Sequence, residues 1–304
     1  NAIFSLGLER FKNCKLLIDY NMFDLFIVGH TKKLGYAINN NEFTKNIIEE
    51  CLKKGKFVYS YDEYQEFDQY INYYNPNVKW KDEYKSPLGK LYRSSTSVVG
   101  VFGTTSRQGK FSLQLLLRKK FLEEGYEVGQ ISSEPSGGLF GMDYCFPFGY
   151  SVKTDIVRKK MVEYINLLMH NMDSDKELII VGCQSSILPY DCGNIADFTF
   201  SQIEFLFSTS PDCIILSVNS FDDFRDIDRI IRFMEAAVDT KVIALVVFPL
   251  KLRDEKAGIY SESIPMLDDE KELCLAKFRE AFNKPVFILG EQIGEIYEII
   301  LNCF

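Results

Sequence analysis

Histidine is scarce in this sequence, which has only His30 and His170 in 304 residues, and tryptophan occurs once. Two histidines this far apart argue against a His-built metal centre. The eight cysteines (Cys14, Cys51, Cys145, Cys183, Cys192, Cys213, Cys274 and Cys303) form no CxxC pair and no zinc spacing. They read as free thiols of a reducing cytosol, so a cytoplasmic location is expected. Positive charge is in deficit: 35 Lys and Arg stand against 43 Asp and Glu, a net charge of −8. That balance excludes a general nucleic-acid binder, which needs a basic face. No apolar run approaches the ~18–20 residues of a membrane span, and no signal-peptide pattern follows Asn1. No G-x-G-x-x-G follows a strand-like run, which weighs against a dinucleotide dehydrogenase, and no Ser/His/Asp elbow is present.

The remaining composition is that of a globular protein, with 46% hydrophobic and 26% charged residues. The length suits two domains. Asp24–Val28 is a short apolar run suited to a buried strand. Glu42–Lys54 carries Phe43, Ile47, Ile48, Cys51 and Leu52 on a helical stripe that Gly55 ends, and Lys56–Tyr59 reads as the next strand. The first strand of this unit is expected at Leu16–Asp19 or ahead of Asn1. Residues 1–75 thus read as a small Rossmann-like α/β domain. The polar stretch from residue 61 offers one short helix at Asp62–Tyr70, then a linker over 76–96.

Residues 97–304 alternate strand and helix throughout. Strands are predicted at Val98–Phe102, Tyr126–Ile131, Glu177–Val181, Asp212–Val218, Lys241–Phe248 and Pro285–Leu289. Helices are predicted at Lys110–Glu124, Asp155–Met172, Phe198–Phe207, Phe221–Val238, Lys271–Phe282 and Glu291–Leu301, with Asp268-Asp269-Glu270 opening the penultimate one. The pattern implies an α/β fold: a mostly parallel sheet with helices on both faces.

The sharpest signal lies where the first of these strands meets its helix, in Gly103-Thr104-Thr105-Ser106-Arg107-Gln108-Gly109-Lys110-Phe111-Ser112. Strand, glycine-bounded loop and helix start direct backbone N–H groups at one point, where they can bind anionic oxygens. Gly103, Thr104 and Gly109 would shape the cradle, and Arg107 could clamp an anion. Lys110 would reach the outer phosphates as a charge and act as a catalytic group, and Ser112 would supply the hydroxyl that holds Mg²⁺. Five residues separate the two glycines, and Phe111 stands where Ser or Thr is usual.

The loop Gly103–Lys110 resembles the long phosphate loop G-T-D-x-x-x-G-K of dethiobiotin synthetase and of the N-acetyl-D-glutamate synthase (D-amino-acid N-acetyltransferase) family of P-loop proteins. Gly109-Lys110-Phe111-Ser112, Gly129-Gln130, Ile179–Pro189 and Ser208–Asp212 are similar to further motifs of the second family. The resemblance implies a P-loop NTPase-like domain at 97–304 behind a Rossmann-like one, a cofactor that is ATP, another nucleotide or CoA, and Mg²⁺. A looser likeness points to clostridial peptide-maturation gene clusters. Two departures stand out: Thr105 replaces the loop Asp, and Gly182 replaces the Glu that ends the third strand.

Glu134 and Asp143, in the Gly-rich loop after the second strand, are the nearest acids to substitute as catalytic groups. Gln184 and Ser185 follow the third strand and face the same crevice, where they could orient a cofactor. Asn219 and Asp222 follow the fourth, Asp222 reading as a helix cap. The expected function is that of a divergent P-loop protein that binds a nucleotide or other phosphorylated ligand and acts on a small carboxylate or a peptide; a homo-oligomer is left open. The rival expectation, from the missing Glu at Gly182, is a non-catalytic scaffold with a decayed site.

Overall fold

The computed structural model describes residues 19–31, 40–76, 90–146, 160–184, 200–254 and 261–304. Those up to residue 76 belong to one compact unit and those from residue 90 to a second.

The first unit is built from β1 (Leu25–Val28), α1 (Asn40–Lys53), β2 (Phe57–Ser60) and β3 (Tyr73–Tyr74), the strands pairing parallel in the order β1-β2-β3. The apolar stripe of α1 places Ile48, Cys51 and Leu52 against Val28, Val58 and Tyr73. Two expectations are corrected here. The helix sought at Asp62–Tyr70 shrinks to a single 3-10 turn at Gln65–Phe67. The sheet's third strand comes after it, at Tyr73–Tyr74, too short to show an alternation. Leu16–Ile18 lie outside the described residues, and Asp19 caps a 3-10 turn instead, its side chain accepting from Asn21 N at 3.0 Å.

The second unit runs β4 (Ser97–Gly103), α2 (Lys110–Glu123), β5 (Val128–Ser132), β6 (Tyr144–Cys145), α3 (Met161–Asp173) and β7 (Leu178–Gly182). It continues with α4 (Phe200–Thr209), β8 (Cys213–Asn219), α5 (Phe224–Val238) and β9 (Lys241–Phe248). A hairpin of β10 (Leu250–Leu252) and β11 (Ser263–Pro265) follows, then α6 (Asp268–Phe282), β12 (Val286–Ile288) and α7 (Ile293–Leu301). The seven-stranded sheet has the order β12-β9-β8-β4-β7-β5-β6, and every pairing is parallel. Its strands are apolar on both faces because both are covered. Val98 and Phe102 of β4 join a core with α3, α5 and α6, while Val99 and Val101 join one with α2 and α7. Leu113, Leu117 and Phe121 fasten α2 to the sheet, each burial being worth about 1.5–3 kcal/mol. Sequence reading missed β6 and the β10–β11 hairpin, both of two or three residues per strand.

Asp173, at the end of α3, fixes where β4 begins. Its carboxylate accepts from Ser94 Oγ (2.5 Å), from Ser95 N and Oγ (2.8 Å each) and from Thr96 N (2.8 Å). Burial opposes the charge, but these hydrogen bonds prevail and hold the carboxyl well below its usual range.

Candidate phosphate-binding site

The chain leaves β4 at the centre of the sheet, runs outward to β5 and β6, returns to β7, and then crosses to β8 on β4's other side. The carboxyl end of β4 is therefore the point where the winding reverses, the place where open α/β sheets form their ligand crevice. The loop Thr104–Gly109 sits there. Gly109 opens α2 in the left-handed region (φ 69°), and no side chain caps the helix. Gly109 brings no capping side chain to the first N–H groups of α2, and the helix dipole favours an anion beside them.

Lys110, 6% exposed, folds back over the loop and its ammonium donates to Thr105 O. Gly103 is glycine because this fold-back leaves no room for more: a Cβ there would lie 2.6 Å from Gln108 Oε1 and 2.8 Å from Lys110 Cδ. Gln108, 1% exposed, braces the loop from within. Its Oε1 accepts from Thr105 N at 2.9 Å and its Nε2 donates to Thr104 Oγ1.

Behind that brace is Asp222. Its carboxylate accepts from Thr104 Oγ1, from Gln108 Nε2 (3.2 Å), and from Asn219 N (2.7 Å) and Nδ2 (3.2 Å). Burial pushes its pKa up, and the hydrogen bonds from Thr104, Asn219 and Gln108 oppose that push without cancelling it. The helix-cap role expected of Asp222 belongs to its neighbour: Asp223 caps α5 by accepting from Arg225 N at 2.9 Å.

The β7 side is different. β7 pairs with β4, and Gly182 ends it. A Cβ on Gly182 would lie 2.1 Å from Nε2, 2.2 Å from Cδ and 2.6 Å from Oε1 of Gln114, so this carboxamide fills the volume of the absent side chain. Gln130 Nε2 donates weakly to Gln114 Oε1 at 3.5 Å, and Gln130 Oε1 is buried with no hydrogen-bond partner. Cys183 is buried, and burial above all pushes its thiol up to about 12, so it offers no thiolate.

Gly103, Thr104, Gly109 and Lys110 lie in one loop, and Thr104 spends its hydroxyl and its N–H on scaffolding, the N–H donating to Ser217 O at 3.1 Å. Arg107 is exposed at φ 60°. Ser112, the expected Mg²⁺ ligand, is exposed, about 200° round the helix from Lys110. Phe111 packs edge-on against Phe140, centroids 5.7 Å apart. Glu134 is half-buried at the end of β5, beyond β7 from the loop. Asp143 is committed at the sheet edge, accepting from Gln130 N at 2.8 Å and pairing with Lys176 at 3.2 Å. The N–H of Gln184 donates to Ser133 Oγ at 2.7 Å and its carbonyl accepts from Gln202. Ser185 lies outside the described residues. Gln108 and Gln114 escaped sequence reading, although a Gln next to Leu113 on a sheet-facing stripe is a signal that something polar is being held there.

A family model described as DUF1611, a domain of unknown function (DUF1611_C) with a P-loop domain, matches residues 87–274, more than half of the chain. The chain belongs to this family. A DUF1611 family protein from Anabaena variabilis is 11% identical with a TM-score of 0.60, over 92% of this chain and 80% of that one, which shows a shared fold. Lower likenesses, both 12% identical, include the septum site-determining protein MinD complexed with Mg-ADP from Pyrococcus horikoshii (TM-score 0.39, over 69% of this chain and 86% of that one). They also include a nucleotide-binding protein in complex with ADP from Archaeoglobus fulgidus (TM-score 0.38, over 67% and 86%). No curated protein matches the chain in sequence. Membership in DUF1611 rests on the P-loop domain and lends no support to the N-acetyl-D-glutamate synthase or peptide-maturation likenesses. Among the described residues no helix is long and apolar enough to cross a membrane.

Proposed function

We propose that this DUF1611 protein binds a nucleotide through its phosphates at the loop Gly103–Lys110. The observation that carries this reading is Lys110: a buried ammonium at the uncapped start of α2, folded over a glycine-bounded loop at the reversal point of a parallel sheet. In that position it can meet an anion. In the ligand-free loop it uses the Thr105 carbonyl; a phosphate oxygen offers it a full charge and a stronger hydrogen bond. The first N–H groups of α2 would share the same phosphate. CoA, whose pyrophosphate offers the same chemistry, is a second candidate ligand, with a small carboxylate or a peptide as the group acted upon.

Calorimetric titration of ATP, GTP and acetyl-CoA tests this. Lys110→Met keeps the apolar stem and removes the charge, and it should weaken binding about 10- to 100-fold, the value of one charged hydrogen bond. Equal affinity in wild type and Lys110→Met would remove Lys110 from the site. The rival reading, a scaffold that binds no ligand, draws on Gly182, where a P-loop enzyme would carry an acid. It is the better reading if none of the three ligands binds wild-type protein at millimolar concentration.

A further inference from the structure

We infer that the site holds its phosphorylated ligand without a protein-directed divalent cation, the Gln114 carboxamide standing where the cation's acid would be. This rests on the phosphate-binding reading above.

P-loop enzymes hold Mg²⁺ with two protein groups, the hydroxyl one place after the loop lysine and an acid from a neighbouring strand. Neither is available. The place after Lys110 is Phe111, a ring that packs on Phe140. Ser112 follows, exposed and turned well away from Lys110. On the neighbouring strand, Gly182 is not an empty place that water or an ion could fill. All three outer atoms of the Gln114 carboxamide lie within 2.6 Å of where its Cβ would be. Gln114 is 2% exposed and Gln130 beside it is fully buried, and both are neutral amides. A carboxamide offers a cation one weak oxygen, and here Gln114 Oε1 already faces Gln130 Nε2.

Among the described residues, two further acids stand near the loop. Asp222 lies on the β8 side, with its oxygens taken by Thr104, Gln108 and Asn219. Glu134 stands at the end of β5, with β7 between it and β4. Among the described residues, the donor set therefore does not fit Mg²⁺. The ligand's charge falls to Lys110, the loop N–H groups and the dipole of α2. The Gln114 amide, in contrast to a carboxylate, does not repel a phosphate that arrives without its metal.

The test uses ADP and ATP on the intact chain, titrated in Mg²⁺ and again in EDTA. Wild type should bind no more weakly in EDTA than in Mg²⁺. Gln114→Glu keeps the heavy-atom count and places a carboxylate where the acid belongs. In EDTA it should bind at least about tenfold more weakly than wild type, from like-charge repulsion, and Mg²⁺ should restore the affinity. Loss of about tenfold or more when Mg²⁺ is withheld from wild type would overturn the inference, with Glu134 then the first acid to suspect. So would a Gln114→Glu protein, folded by circular dichroism, whose binding ignores Mg²⁺. If neither nucleotide binds wild type in either buffer, the phosphate-site reading itself fails and the inference falls with it.

Discussion

On the β8 side of the phosphate loop, four donors from Thr104, Gln108 and Asn219 converge on the buried carboxylate of Asp222; on the β7 side, two neutral carboxamides meet against the bare backbone of Gly182. Both sides are polar and both are buried. They differ in what the polar groups hold. The β8 side ties two separate chain segments, 104–108 and 219–222, into one rigid piece, so its acid is spent on shape. The β7 side sets the neutral carboxamide of Gln114 in α2 against the end of a strand. The presence of an acid near a phosphate loop therefore says little about chemistry until its partners are counted. Asp222 shapes the cradle, while Gln114 fills the space a side chain at Gly182 would take.

Gly109 joins the loop to α2, and breaking that junction should give the largest effect. Its φ of +69° is strained for any residue with a side chain, and an added Cβ would lie 2.3 Å from Leu289 Cδ2 and 3.1 Å from two ring atoms of Phe248. Gly109→Ala should cost on the order of 2–5 kcal/mol, summing backbone strain and overpacking, and should lower the urea midpoint accordingly. An unchanged midpoint would mean that the loop does not rest on Leu289 and Phe248 as described.

A smaller and more selective break is available on the β7 side. Gly182→Ala drives a methyl group into the Gln114 carboxamide and should destabilise by about 1–3 kcal/mol. Shortening the amide should make room for the methyl, so Gly182→Ala in a Gln114→Ala background should cost much less. The coupling expected for residues in contact is about 0.5–3 kcal/mol. Strictly additive losses in this double-mutant cycle would show that the amide does not occupy the place of the missing acid.

Much of this was legible in the sequence, for physical reasons that also mark the limit. Strands β4, β7, β8 and β9 are buried on both faces, and a doubly covered strand is written as an unbroken apolar run. The loop was legible because glycine is the residue that tolerates the φ of Gly109. Ser112 shows where linear spacing misleads. One place of difference along the chain is 100° around a helix, so a hydroxyl shifted from Phe111 to Ser112 leaves the face it was expected on. Asp222 and Asp223 show a second limit. Adjacent identical residues carry identical propensity, and only the turn between β8 and α5 decides which caps the helix and which enters the loop. The filling of Gly182 by Gln114 joins residues from separate elements, and no local pattern reports it.

The smallest expected effect separates shape from charge on the β8 side. Asp222 is held above the ordinary carboxylate pKa of about 3.9, chiefly by burial. At a pH between the unfolded and folded values, the native state keeps a proton on Asp222 that the unfolded state has released. Stability must then fall as pH rises through that window, because the native state binds more protons there. Below the unfolded value both states are protonated, and Asp222 makes its full contribution to stability. Asp222→Asn has nearly the same shape and cannot ionise. In urea unfolding at a series of pH values from 4 upward, wild type should lose stability relative to Asp222→Asn as pH rises, and the two curves should run parallel once the folded pKa is passed. Should the wild type gain on the variant with rising pH, the hydrogen bonds from Thr104, Asn219 and Gln108 would outweigh burial. The β8 side would then be an anion-stabilising site like the one Asp173 makes at the start of β4, and the contrast with the neutral β7 side would widen.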